Sequence, residues 1–164
     1  MNKAVFLDRD GVINKEIGDY VYKKEDFIFN NGLFTALRLL QEYDYKLIVV
    51  TNQGGIAKGK YTNDEVNELH NFMLEKLLEE GIKIDDLYIC PHHHTIAPCL
   101  CRKPNSLMIE KAIAKHEIET SLSYLIGDNE RDILAAEKVM IKGIIIESNT
   151  NILPRVKMDI LNVV

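Results

Sequence analysis

No apolar run in this 164-residue chain approaches the ~18 residues that a membrane-spanning helix needs. The first ten residues hold only a short apolar stretch, Ala4 to Leu7, before charges begin, so no secretory leader is expected. Basic charge is not in excess: 20 Lys and Arg face 25 Asp and Glu, a formal net charge of −5. A nucleic-acid binder needs a basic face to displace counterions from phosphates, so that class is set aside. Small anionic ligands stay open, because a few local cations and a metal can outweigh the overall balance. Cysteine is scarce. Cys90, Cys99 and Cys101 form an odd set within twelve positions, which does not make a secreted disulfide framework. Beside histidines, the cluster reads as a metal site in a reducing cytoplasm. Linkers, internal repeats and low-complexity segments are missing, and 46% hydrophobic with 27% charged residues excludes disorder. The expectation is one cytoplasmic domain over residues 1–164, monomeric, with no membrane partner.

What is present is alternation. Ala4 to Leu7, Leu47 to Val50, Leu87 to Ile89, Tyr124 to Ile126 and Ile144 to Ile146 are short continuous apolar runs and read as buried strands. Between them lie helical patterns. Leu33, Ala36, Leu37 and Leu40 follow helical spacing, with Asn30 and Asn31 available as caps. Thr62 with Glu65 forms a capping box, and Val66, Leu69, Phe72, Met73 and Leu77 mark the buried face that follows, with Gly81 at the exit. Helices are also expected over 106–116 and 130–140. The tail after Ser148 shows weak periodicity and receives no assignment. Strands without polar alternation, separated by helices, predict an α/β fold: a doubly wound, Rossmann-like parallel sheet covered on both faces.

Such sheets bind ligands beyond the carboxyl ends of their strands. The polar residues of interest gather there. Asp8 and Asp10 follow the first strand, Thr51 and Asn52 the second, the cysteine loop the third, and Gly127-Asp128 the fourth. Asp8, Asp10 and Asp128 would converge, and three acids in close quarters need a cation. Mg²⁺ takes oxygen ligands and often shares them with phosphate. Asn52, Gln53, Gly54 and Gly55 can present backbone amides to such a group, and Arg102 and Lys103 add positive charge. Each motif alone has a bland explanation, a solvated turn, a helix cap or surface charge. His70 reads as a surface residue of the capped helix, and His116 as a helix-end residue near the dipole.

Asp8-Arg-Asp-Gly-Val12, Thr51-Asn52, Lys103 and Gly127-Asp128, in that order and at strand ends, resemble the four motifs of the haloacid-dehalogenase-like phosphatases over about residues 4–147. The longer stretches Phe6–Asn14, Thr51–Gly59 and Cys90–Pro104 resemble the zinc-containing subgroup, which acts on heptose bisphosphate or histidinol phosphate. The resemblance implies a Mg²⁺-dependent phosphomonoesterase with a minimal cap and a zinc-bound loop, acting on a phosphorylated sugar or other small phosphate ester. It implies Asp8 as nucleophile and Asp10 as general acid and base, with Asp10 reaching Mg²⁺ through its backbone carbonyl. Asp8 and Asp128 would supply carboxylates to the ion, and Thr51 and Lys103 would stabilise the transferring phosphoryl group. Substrate contacts are expected from Glu16, Ile17, Gly18 and Asp19 in the flap after strand one, from Asn52, Gln53 and Gly54, and from Arg102 and Asn129. Arg102 suits a second anionic or polyhydroxyl group.

Cys90-x-His92 with Cys99-x-Cys101 supplies three thiolates and one imidazole, a closed tetrahedral set for structural Zn²⁺. His92, His93 and His94 compete for the nitrogen position, and the family spacing selects His92. Gly54 to Thr62 favours heptose bisphosphate as substrate. The short interval from His92 to Cys99, and Asn129 where the heptose enzymes often carry Lys, keep histidinol phosphate open. A phospho-acceptor signalling domain is the non-enzymatic alternative, since receivers also set acids, Thr and Lys at a sheet edge; turnover separates the two.

Overall fold

The structure, a computed structural model, describes residues 1–163. Five strands alternate with helices: β1 (Lys3–Leu7), α1 (Leu33–Glu42), β2 (Tyr45–Asn52), α2 (Asn63–Glu79), β3 (Asp86–Cys90), α3 (Leu107–His116), β4 (Tyr124–Gly127), α4 (Glu130–Glu137), β5 (Lys142–Ile145) and a short α5 (Leu153–Arg155) that continues as a wider π-type turn (Val156–Leu161). The strands form one all-parallel sheet in the order β3-β2-β1-β4-β5. The order reverses between β1 and β4. Helices leave these two strands toward opposite sides and open a crevice at their carboxyl ends. Asp8 follows β1 there and Asp128 follows β4, with the Asp8 N–H bonded to Ile126 O at 3.1 Å.

Burial on both faces explains the unbroken apolar strands. In β1, Val5 and Leu7 pack with Leu33, Leu37, Leu69 and Met73 of α1 and α2. Ala4 and Phe6 face the other way, against Met108 and Ile109 of α3 and Ala135 of α4. Each such large apolar side chain, withdrawn from water, contributes about 1.5–3 kcal/mol. Val156 and Ile160 of the tail close the α1 side of the core.

The expected elements form, with shifted ends. The Thr62–Glu65 capping box starts α2 as read from the sequence. For α1 the cap differs: Gly32 occupies that position without a side-chain bond. Asn30 instead turns inward and donates to Val12 O (3.0 Å) and Asn14 O (3.3 Å), tying the loop after β1 to the helix start. α4 ends at Glu137, three residues before the expected end. Ala136 O receives the N–H groups of both Val139 and Ile141, and Met140 turns left-handed between them (φ 59°). That turn lets β5 start at Lys142, two residues earlier than its apolar run suggests.

Candidate active site

Three carboxylates share the crevice at the β1–β4 reversal. Oxygens of Asp8, Asp128 and Asp132 all lie within 4.8 Å of one another. One cation stands among them. Lys103 Nζ, on a side chain only 1% exposed, is 2.9 Å from Asp8 Oδ1 and 2.7 Å from Asp132 Oδ1, and donates to Val50 O at 2.7 Å. Burial opposes the Lys103 charge, but Asp8 and Asp132 override it and raise its pKa. Asp8 moves the other way from a normal carboxyl: burial lifts it to about 7, against the pull of Lys103 and with help from Asp132. Burial also raises Asp128. Three acids against one ammonium leave a surplus of negative charge on hard oxygen donors, the chemistry that suits Mg²⁺. Two glycines make the crowding possible. Gly11 holds φ +86°, and a β-carbon there would meet Ser148 Oγ at 2.6 Å and the Asp128 carboxylate closer still; one on Gly127 would meet Asp132 Oδ2 at 2.5 Å.

Asp10 is not the third member of this carboxylate group, as the sequence suggested; Asp132 is. Asp10 lines the same cavity, but its carboxylate is engaged elsewhere: by Arg9 Nη2 (2.8 Å) and Asn14 Nδ2 (3.0 Å) at one oxygen, and by Gln53 Nε2 (3.1 Å) at the other. Burial would raise Asp10, yet Arg9 and these donors hold it below the usual carboxylate range. Arg9 is itself fully buried. It also reaches Val21 O at 2.6 Å and His70 Nε2 at 3.0 Å. His70 is therefore a buried residue and not a surface one, because it shares the inward stripe Val66, His70, Met73, Leu77 of α2. Burial and the Arg9 charge push it down to about 3, so it stays neutral and accepts.

The turn after β2 is held by a chain of side chains. Tyr61 Oη donates to Gln53 Oε1 (2.5 Å), which fixes the amide so that Gln53 Nε2 serves both Asp10 and Thr51 Oγ1 (2.9 Å). Thr51 lies buried behind Gln53. Asn52 pairs twice with Lys103, accepting from its backbone N–H (3.0 Å) and donating to its carbonyl (3.1 Å).

The cysteine loop closes on itself. Ligand atoms of Cys90, His92, Cys99 and Cys101 lie within 4.8 Å of one another, with His92 Nδ1 at 3.7 Å from Cys90 Sγ and 3.2 Å from Cys101 Sγ. The Arg102 N–H points at Cys99 Sγ from 3.4 Å, a donor that favours a thiolate. Three unpaired sulfurs and one imidazole nitrogen fit a four-coordinate soft-metal site. His93 is buried and turned to the turn after β2, bonded to Thr95, while His94 is exposed.

Three cavities meet around this centre. One of about 300 Å³ is lined by Asp8, Asp10, Asn52 and Asp128, with Glu16 and Asn129 at its rim. A second of about 410 Å³ opens over Gln53, Gly54, His93 and the flap residues Glu16, Gly18 and Asp19. Ile17 does not join them: it is half exposed and lines none of these cavities. Asn129 Oδ1 also caps α4 at the Arg131 N–H. Arg102 and Arg131 both line the second cavity, and a third of about 440 Å³ beside the cysteine loop. Arg9, Tyr61, Arg131 and Asp132 went unassigned in the sequence. Asp132 had a signal, an acid three residues after Asn129 at a helix start.

Residues 100–154 match the family model described as HAD-hydrolase-like. The D-glycero-β-D-manno-heptose-1,7-bisphosphate 7-phosphatase of Helicobacter pylori strain J99 is 43% identical over 146 residues, covering 87% of this chain and 81% of that protein. The D-glycero-α-D-manno-heptose-1,7-bisphosphate 7-phosphatase of Campylobacter jejuni is 44% identical over 133 residues, covering 81% and 75%. Among solved structures, a D,D-heptose 1,7-bisphosphate phosphatase of B. bronchiseptica complexed with magnesium and phosphate superposes with a TM-score of 0.84 at 27% identity, covering 96% of this chain and 86% of that one.

Proposed function

Because the chain belongs to the haloacid-dehalogenase-like phosphatases, we propose that it hydrolyses the 7-phosphate ester of D-glycero-D-manno-heptose 1,7-bisphosphate, with Asp8 as nucleophile. The observation that carries the reading is the grouping of Asp8, Asp128 and Asp132 at the sheet's reversal point, with Lys103 paired to Asp8 and Asp132. An Asp8 carboxylate oxygen attacks phosphorus and the ester P–O bond breaks, leaving an aspartyl phosphate. Asp10 gives its proton to the departing alkoxide. It then takes one from the water that attacks the acyl phosphate, and inorganic phosphate leaves. In the resting site Asp10 is ionised by its donors. A phosphoryl dianion entering beside it raises its proton affinity, which readies it as an acid.

Asp8 and Asp128, with the Asp10 backbone carbonyl, would hold Mg²⁺. When bound, the ion supplies the positive charge that lets a carboxylate approach a phosphoryl anion. Lys103 adds fixed charge beside Asp8, and the Thr51 hydroxyl, an acceptor toward Gln53, keeps its proton free to donate to a phosphoryl oxygen. Cys90, His92, Cys99 and Cys101 would hold Zn²⁺ as a closed structural set that aims Arg102 and Lys103. The flap from Glu16 to Asp19, with Gln53, Gly54 and Arg102, would line the sugar-binding mouth within a single domain.

The test is phosphate release with Mg²⁺ from the α and β anomers of heptose 1,7-bisphosphate and from histidinol phosphate, with Asp8→Asn as blank. Turnover of a heptose anomer that vanishes in the blank supports the reading. Preference for histidinol phosphate keeps the chemistry and overturns the substrate, and a single phosphate bound per chain without turnover overturns the enzyme.

A further inference from the structure

Arg131 stands at the junction of all three cavities, the one residue that lines each. Its position is locally unfavourable. It is the second residue of α4, where the unsatisfied N–H groups already place positive charge, and where Glu130 and Asp132 on either side follow the usual acidic preference. It has no carboxylate partner: among the described residues no acid oxygen lies within 4.0 Å of the guanidinium of Arg131 or of Arg102. The two arginines instead share two of the cavities, and Arg102, already pushed down by burial, is pushed further by Arg131. Arg131 Nε is buried without any hydrogen-bond partner. The acids of the flap do not relieve this charge. Glu16 accepts from the Gly18 N–H (2.7 Å) and Asp19 from the Tyr20 N–H (2.7 Å), and neither pairs with a guanidinium. The mouth thus holds acids on the flap and two guanidiniums that have no carboxylate partner, Arg102 donating only to His92 O (3.1 Å). Asp128 feels the Arg131 charge without pairing with it, and local rules are broken most often at functional sites.

We propose that Arg131, together with Arg102, binds the phosphoryl group of the substrate that is not transferred, and so makes the enzyme select bisphosphates over monophosphates. This rests on the phosphatase reading above and names a specificity residue for it. A guanidinium pair matches a phosphate dianion in charge and fork geometry, and sugar hydroxyls are left to the acidic flap. Arg131 reaches no reacting atom, so its effect falls on binding.

The test compares heptose 1,7-bisphosphate with heptose 7-phosphate, which lacks only the second phosphoryl group. Steady-state kinetics are run on the metal-loaded wild type, Arg131→Gln and Arg131→Lys. The ratio of kcat/KM for bisphosphate over monophosphate is expected to fall at least tenfold in Arg131→Gln, through KM, and to recover partly in Arg131→Lys. Arg131→Gln should also melt at a higher temperature than wild type, since it removes a charge set against the α4 dipole. A ratio unchanged in Arg131→Gln overturns the proposal, whether both substrates lose equally or neither does. A wild type that favours neither ester overturns it as well. A wild type that prefers another bisphosphate in an Arg131-dependent way changes the substrate assignment and upholds the residue's role.

Discussion

Lys103 and Asp8, 95 residues apart in the chain, form a buried ion pair of 2.9 Å that closes the gap between the cysteine loop and the end of β1. The pair is lopsided, because Asp132 presses on the same ammonium from 2.7 Å. Lys103→Met therefore strands two buried acids. Metal-free protein carrying it should lose about 3 kcal/mol at pH 8, the typical cost of unpairing a buried charge. The loss should shrink at pH 6 as Asp8 protonates, and Lys103→Met/Asp132→Asn should restore part of it. Urea unfolding at the two pH values reads all three effects.

Asp8 and His70 oppose each other in the pH dependence of stability. Asp8 rises from 3.8 to about 7 on folding, so its native form binds the extra proton, and stability falls as pH climbs through that window. His70 drops from 6.5 to about 3, so the unfolded form binds the extra proton, and stability falls as pH descends through that window. Each slope is at most about 1.4 kcal/mol per pH unit. Without metal, the wild type should be nearly flat between pH 4 and 6. Asp8→Asn should gain stability as pH rises there, and His70→Gln should lose it. Parallel curves for the three proteins would contradict both assignments.

Tyr61 acts at one remove from the reacting atoms. Tyr61→Phe leaves the stacked Tyr22 ring in place but frees the Gln53 amide to flip. The lost hydrogen bond should cost about 1 kcal/mol of stability. With Asp10 and Thr51 less firmly held, kcat should fall several-fold while KM stays near the wild-type value. A change confined to KM would mean that Gln53 acts through the sugar alone and not through Asp10 and Thr51.

On the proposed Zn²⁺ assignment, stripping the ion from the cysteine loop should expose three titratable thiols and raise KM more than it lowers kcat, with at least a tenfold loss in kcat/KM. Zn²⁺ should reverse the change and Mg²⁺ should not. Metal analysis beside thiol titration checks the stoichiometry.

The crevice was legible in the sequence because it sits where apolar runs stop. A short run followed at once by Asp8, by Thr51-Asn52 or by Gly127-Asp128 announces a strand end and its polar edge together. Asp132 was hidden by a sufficient local explanation: an acid three residues after Asn129 caps a helix, and it does so, through Oδ2 (3.1 Å). Only tertiary packing turns its other oxygen to Lys103. His70 was readable but misread, since it falls on the same helical stripe as Val66, Met73 and Leu77; a polar side chain there signalled a buried partner, which is Arg9. Arg131 gave no pattern at all: acids flank it in sequence, and only the fold shows that none of them pairs with it.

Asn52 grips the main chain of Lys103 from both sides, so that lysine has a tether independent of the cysteine loop. The Arg102 guanidinium has no such tether; it donates to His92 O (3.1 Å), a carbonyl of the cysteine loop itself. Damage to the loop by oxidation or metal theft would thus degrade the enzyme in a set order. Discernment among substrates goes first, while the bond-breaking apparatus still stands, and the injured protein becomes an indiscriminate phosphatase before it becomes a dead one.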